Sequence, residues 1–389
     1  MGIVQTISDG LRARPAREPK AQRRMLRLSE QLLAVLLTGA TASAAAADVL
    51  VGVAGPAQGP HAASAGDIAR GVKLAAERIN AAGGVEGEPI KIVDTDDACA
   101  AAQAEQAART LVARGVALVV GHPCANAAAA AARIYAQAGV VFIAPATRHP
   151  ALTETRAGPT IFRLAGRDDR QGASAGDYLA RTFPGRPLAT VTDASRVAED
   201  LTRGALAALE QAEHGNVLSA SIEGRQKDYA RLIAKLEEAQ TAAVFFGGFP
   251  IEGGLLLQQM RAAGLATVFL GGDVIANAQL AETAAADAVG ARALLPHDAA
   301  ADVPEATRRE RFALQTLSGP FVSAYAAVEV WRAAADKARS RDAPALTRAL
   351  QQGTFATVLG PVSFDEKGDA RVPSYDVVTW KDGAWRPQD

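Results

Sequence analysis

The sequence predicts an α/β protein of two doubly wound lobes, each a parallel sheet covered by helices on both faces. Three observations point there. From Val49 to Leu270, short β-branched runs alternate with Ala-rich stretches long enough for helices. The alternation gives more units than one sheet of usual width holds, so the chain is expected to divide near Arg167 and Asp168. With 389 residues, 49% hydrophobic and 21% charged, it can bury two separate cores.

Residues 1–47 stand outside that pattern. Arg12, Arg14, Arg17, Lys20, Arg23, Arg24 and Arg27 form a basic lead, Leu32 to Ala40 an apolar run too short to span a bilayer, and Thr41 to Ala47 offers small-residue cleavage points. This reads as a secretory signal with Met25 as its true start; Arg23-Arg24 is a poor match to a twin-arginine signal. Seven Lys/Arg and three Asp/Glu leave with it, taking the net charge from −1 to −5. With no basic stripe and no helix-turn-helix cue, nucleic acid is not an expected partner.

The mature chain opens with a buried strand, Val49 to Ala54, then a loop from Gly55 to Gly66. Asp67 is expected to begin a helix over Ile68 to Asn80, stopped by Gly83-Gly84. A strand over Pro89 to Asp94 ends in the acidic run Asp94-Thr-Asp96-Asp97. An Ala/Arg/Gln-rich helix leads to the strand ending at Val120, and a second Ala-rich helix to the strand Val140 to Ile143. Strands at 160–164, 188–192, 217–221, 243–246 and 267–270 then alternate with helices at 168–183, 197–213, 228–238 and 252–263. The rhythm breaks at the end. Helices over 308–317, 319–337 and 344–352 precede short strands in 358–364, a turn at 365–369 and a strand over 375–380. That tail is long enough to return to the first lobe and cross once more to the second.

Catalytic and metal-binding constellations are absent from the sequence. It holds no Gly-x-Ser-x-Gly elbow, no His-Glu-x-x-His and no phosphate loop, so no enzyme and no cofactor is expected. Cys99 and Cys124, the only cysteines, lack further ligands at zinc spacing. In an exported chain they are a disulfide candidate, with two unrelated buried thiols as the alternative. A bond between them would close a loop of roughly 25 residues and add roughly 3 to 4 kcal/mol. Open α/β sheets take ligands beyond the carboxyl ends of their strands, which nominates His122 to Asn126, Ala144 to His149, Thr192 to Arg196, Gly247 to Pro250 and Gly271 to Asp273. Turn chemistry alone also explains Gly, Pro and Asp at such places.

From Val49 to about Trp380 the chain resembles the periplasmic solute-binding proteins of branched-chain amino acid ABC transporters, the Leu/Ile/Val-binding family. The residues that carry the resemblance include Gly66-Asp67, Ile79-Asn-Ala-Ala-Gly-Gly-Val-Glu-Gly87, Asp96-Asp-Ala-Cys99, Gly121-His-Pro-Cys124, Pro150-Ala-Leu-Thr153, Asp169-Arg-Gln-Gly172 and Gly360-Pro-Val-Ser-Phe-Asp-Glu-Lys-Gly-Asp369. The resemblance implies a type I periplasmic-binding fold with a three-segment hinge. Lobe 1 would be residues 48–167 plus 297–373, and lobe 2 residues 168–296 plus 374–389. It also implies a Cys99–Cys124 disulfide beside the cleft.

In the family a carboxylate of the second lobe holds the ligand ammonium, and Asp273 matches it. The carboxylate end departs: Ala125 replaces a hydroxyl residue, and Arg148 aligns with a Thr, with Thr147 one place early after Ala146. Arg148, or Thr147 with backbone N–H groups, is expected to take the ligand carboxylate. Ala65 and Val197 stand where Tyr or Trp is common and Phe249 replaces a Tyr, so the cleft is expected to admit a bulkier or differently shaped ligand. The expected function is a monomeric periplasmic receptor that captures a small amphipathic solute, most simply a branched-chain or hydrophobic amino acid, for a membrane permease. The alternatives are an aromatic or other carboxylic acid as cargo, with Arg148 its anchor, or a sensing module for a signalling partner.

Overall fold

The computed structural model describes residues 48–388 except Arg225 and 313–315; the predicted signal segment lies outside the described residues. The strands are β1 (Val49–Ala54), β2 (Ile90–Thr95), β3 (Leu118–Gly121), β4 (Val141–Ala144), β5 (Ile161–Arg163), β6 (Leu188–Thr192), β7 (Val217–Ser221), β8 (Ala243–Gly247), β9 (Val268–Gly271), β10 (Arg292–Pro296), β11 (Thr354–Thr357), β12 (Gly360–Ser363), β13 (Tyr375–Lys381) and β14 (Ala384–Pro387). The helices are α1 (Ala62–Ala81), α2 (Ala101–Ala113), α3 (Ala125–Ala138), α4 (Ala151–Glu154), α5 (Gln171–Thr182), α6 (Arg196–Gln211), α7 (Ala230–Glu238), α8 (Pro250–Ala262), α9 (Ala278–Ala284), α10 (Glu305–Phe312), α11 (Gly319–Ala338) and α12 (Ala343–Gln352).

β1 to β5 make a five-stranded parallel sheet in the order β2-β1-β3-β4-β5. A seven-stranded sheet, β14-β13-β10-β9-β8-β6-β7, is parallel from β10 to β7 and ends in the antiparallel β13 and β14. β11 and β12 form a separate antiparallel hairpin. Burial on both faces accounts for the continuous apolar runs. In β3, Leu118 and Val120 face one core while Val119 faces another; in β8, Val244 and Phe246 oppose Ala243 and Phe245 in the same way.

The first sheet borrows one of its covering helices from the far end of the chain. α1 and α11 pack side by side on it, close enough that a Cβ on Gly71 would meet the carbonyl oxygen of Phe321 at 2.3 Å. Trp331, Tyr325 and Val328 of α11 are buried there. α2 and α3 cover the opposite face. On the second sheet, α5 and α6 cover one face and α7, α8 and α9 the other. The chain therefore passes between the two sheet systems three times, in the segments after Arg163, after Pro296 and before Tyr375.

Several boundaries differ from those the sequence predicts. α1 begins at Ala62 rather than Ile68, because Ala-Ala-Ser-Ala extends it back to Pro60-His61. Asp67 is thus a helical residue that accepts from Ser318 Oγ and pairs with Arg70. The helix expected from Asp168 starts as a 3₁₀ turn over Asp168–Arg170. β10, α9 and β14 were not predicted: Arg-Ala-Leu-Leu-Pro and Ala-Trp-Arg-Pro lack the β-branched signature, and α9 has only seven residues.

Candidate ligand-binding site

The carboxyl end of β3 is built around a buried polar chain. Gly121 has φ 154°, and any Cβ there would lie 2.2 Å from the carbonyl oxygen of Ala54. His122 follows with φ 51°, fully buried. Its Nδ1 lies 2.7 Å from Asp97 Oδ2 and its Nε2 2.9 Å from the Tyr135 hydroxyl. An ionised carboxylate only accepts, so Nδ1 carries a proton toward Asp97. Burial, with the Asp97 charge adding to it, pushes the Tyr135 phenol far up. Asp97 also accepts from the Cys99 backbone N–H at 2.8 Å through its other oxygen.

Cys99 and Cys124 are bonded, with Cα atoms 5.5 Å apart. His61, next to α1, brings its ring beside the two sulfurs, which are joined to each other and so offer no thiolate to a metal. Cys124 is the N-cap of α3 and supplies no side-chain hydrogen bond, so the helix presents its first-turn N–H groups from Ala125 onward uncapped. Thr147, buried, donates its hydroxyl to the carbonyl of His122 and so ties the β4 loop to the β3 loop. A Cβ on Gly55 would meet Ala65 at 2.8 Å and Pro123 at 3.3 Å, so Ala65 and the β3 loop both border Gly55. One set of nominated residues is therefore gathered at the strand ends of the first sheet.

A second set lies on the second sheet. Asp193 accepts from the Ser195 N–H and the Phe249 N–H, both at 3.0 Å, and so locks the β6 loop to the β8 loop. Above it stand Val197, 59% exposed, and Phe249, 49% exposed, with Ile251 and Val274. Of the large apolar side chains exposed among the described residues, all but Val289 fall within a few residues of the ends of β6, β8 or β9. Single exposed apolar residues are ordinary, so it is their shared position past the strand ends that sets these apart. Asp273 follows β9, half-buried, with no side-chain hydrogen bond or ion pair to a described residue.

Arg148 is held by two residues that the sequence did not nominate. The Arg148 guanidinium donates to the carbonyl of Ser374 at 2.7 Å and lies 5.2 Å over the ring of Tyr375. Burial raises the Tyr375 phenol, the hydrogen bond and charge of Arg148 pull it back, and the charges of Asp273 and Asp168 raise it further. Tyr375 donates its hydroxyl to the carbonyl of Asp168. Ser374 accepts from the His297 N–H and, through its hydroxyl, from the Arg167 N–H. All three crossings thus converge on Ser374. His297 is held between Asp376 and Asp302, at 2.9 and 2.8 Å, which raise its pKa to about 9.

Two cavities flank the crossings. The larger, about 1190 Å³, runs between α5 and the crossings, with Arg167, Tyr178 and Asp376 in its wall, and touches none of the nominated residues. The smaller, about 190 Å³, is lined by Ala146 and Arg148. Residues 48–384 match the periplasmic binding protein family.

The chain belongs to that family.

Two curated relatives of this periplasmic binding protein agree along almost its whole length. It is 34% identical to the Leu/Ile/Val-binding protein homolog 1 of Brucella abortus (strain 2308), over 91% of this chain and 95% of the relative. It is 35% identical to the leucine-, isoleucine-, valine-, threonine- and alanine-binding protein of Pseudomonas aeruginosa, over 93% and 98%. In fold it is similar to the ABC transporter substrate-binding protein of Desulfitobacterium hafniense solved in complex with Leu, with a TM-score of 0.59 at 24% identity over 88% of this chain and all of that one.

Proposed function

We propose that this periplasmic binding protein is an exported receptor that captures a hydrophobic amino acid between two lobes and hands it to an ABC transporter permease. The lobes are residues 48–167 with 297–373 and residues 168–296 with 374–389. The carrying observation is one cation and one anion past the strand ends: Arg148 in the loop after β4, and Asp273 after β9, half-buried with no side-chain partner among the described residues, which together suit a zwitterion. Asp273, free of other partners, takes the ammonium. Arg148 and the uncapped N–H groups at Ala125 take the carboxylate, because the Thr147 hydroxyl is already donated to the His122 carbonyl. Val197, Phe249 and Val274 then cover the apolar part of the ligand, facing the small Ala65, Ala125 and Ala146. The relatives named for leucine, isoleucine and valine support that ligand class.

Thermal unfolding of the mature chain against L-amino acids, amino-acid amides and acids lacking an amine tests this reading. A ligand bound only by the native state at 100 times its Kd stabilises by about 2.7 kcal/mol, so L-leucine, L-valine or L-phenylalanine are expected to raise the Tm. Stabilisation confined to amine-free acids would select the second reading, a carboxylic-acid receptor with Arg148 as sole anchor. The apolar-lined cavity beside Arg148 favours that reading as the alternative.

A further inference from the structure

Of the five histidines, His61 is the one with neither ring nitrogen bonded to a described residue. His122 and His297 engage two partners each, His149 Nδ1 accepts from the Ala151 N–H, and His214 Nε2 reaches the Arg186 carbonyl. The exposed His61 ring instead lies beside the cysteine pair, with its nitrogen and the two sulfurs all within 4.8 Å of one another. The three residues come from three loops, those after β1, β2 and β3, and are far apart in sequence. Hydrogen bonds that need no disulfide tie those loops together. Asp96 accepts from the Ala57 and Ala98 N–H groups, Asp97 accepts from the Cys99 N–H, and its other oxygen meets His122 of the β3 loop. Opening the S–S bond therefore leaves the three side chains gathered. Cys99 is partly exposed to a reductant, and Cys124 stands at the N-terminal end of α3, whose dipole favours a negative sulfur.

We propose that the reduced form of this protein binds one thiophilic dication, of the zinc class, through the Cys99 and Cys124 thiolates and one nitrogen of His61. A dithiol donor opens the disulfide: two electrons and two protons pass to the sulfurs, and the donor closes to its own disulfide. The metal then displaces both protons to solvent, and a water completes four-coordination. Two thiolates and an imidazole, with one position left open, are a donor set that zinc takes. Tetrahedral zinc at about 2.3 Å from each sulfur holds the pair about 3.8 Å apart, a span that side chains on Cα atoms 5.5 Å apart reach by rotation at Cβ. The ion replaces the covalent cross-link between the β2 and β3 loops and adds the β1 loop to it. On the export reading, the newly made chain carries this dithiol before it is oxidised. The site uses neither charged ligand anchor, Arg148 nor Asp273, so it does not depend on the receptor reading.

Cobalt titration of the mature chain, reduced by a phosphine under argon, tests the site, with circular dichroism reporting the fold. The phosphine takes oxygen from water, whose two hydrogens go to the sulfurs, and it brings no thiol to compete for metal. Equimolar Co²⁺ is expected to give thiolate charge-transfer absorption in the near ultraviolet and the intense visible bands of a tetrahedral site. Both should vanish on adding Zn²⁺ and be absent from the oxidised protein. His61→Ala is expected to weaken the visible bands and to raise the Kd of the reduced chain for Zn²⁺ about tenfold or more. Should reduction unfold the chain, Zn²⁺ is expected to restore a cooperative thermal transition at lower concentration in the wild type than in His61→Ala. A reduced wild type with no cobalt band, or one whose spectrum the oxidised protein shares, overturns the site. A His61→Ala variant that holds zinc as tightly as the wild type overturns it too.

Discussion

Asp273 and Arg163 are both charged residues, but one is available to a ligand and the other is consumed by the fold. Asp273 has no side-chain partner among the described residues, so Asp273→Asn is expected to leave the Tm of the unliganded protein unchanged. The same change should weaken L-amino-acid binding by about 2 to 5 kcal/mol, measured by calorimetry, because it strips the charge from a desolvated pair. Arg163 is fully buried and donates to Asp369, Thr153 and the carbonyl of His149. Desolvation pulls its pKa down, and Asp369 opposes that pull. Asp369→Ala would leave the guanidinium buried without its counter-charge. Urea unfolding is expected to show a loss of about 3 to 5 kcal/mol, and a loss under 1 kcal/mol would refute that role. The position of Asp273 was legible in the sequence, because Gly-Gly-Asp directly after an apolar run marks a strand-end loop, and it follows β9 here. The direction of Arg148 was not, since it is set by Ser374, 226 residues further on.

Among the elements, the β3 loop and α3 depend on a cross-link to the turn before α2. The oxidised protein is expected to titrate no free thiol, and Cys99→Ser with Cys124→Ser should cost about 3 to 4 kcal/mol in denaturant unfolding. Strands buried on both faces were legible because they carry unbroken Val, Ile and Phe runs, as in β4 and β8. β10 was not, since Ala and Leu favour helices and only its neighbours β9 and β13 make it a strand. The cysteine pair was visible as a candidate from composition and the expected signal segment. The polar chain of Asp97, His122 and Tyr135 that braces it was invisible, because those residues are far apart in sequence and neutral in periodicity.

At the scale of the whole molecule, the crossings carry a titratable brace. The carboxylates of Asp376 and Asp302 lift His297 from the ordinary 6.5 to about 9 against the cost of burial. Between those values the folded state holds a proton that the unfolded chain releases. The stabilisation is complete below about pH 6.5 and is lost as pH rises through about 9, a decline of about 2 to 3 kcal/mol. Urea unfolding across pH 6 to 10 is expected to show that slope for the wild type, and His297→Gln should flatten it.

The placement of α11 also sets a timetable. Trp331 and its neighbours fill a core whose sheet was completed at Arg163, so that core stays unsealed until the polypeptide has been synthesised nearly to its end. A chain ending at residue 318 is expected to give no cooperative thermal transition from its first sheet, and a sharp transition would show that the earlier half closes unaided. A nascent chain that cannot seal itself remains slender enough to be threaded through a narrow secretion pore. On the export reading proposed above, delayed closure would serve transit across a membrane as well.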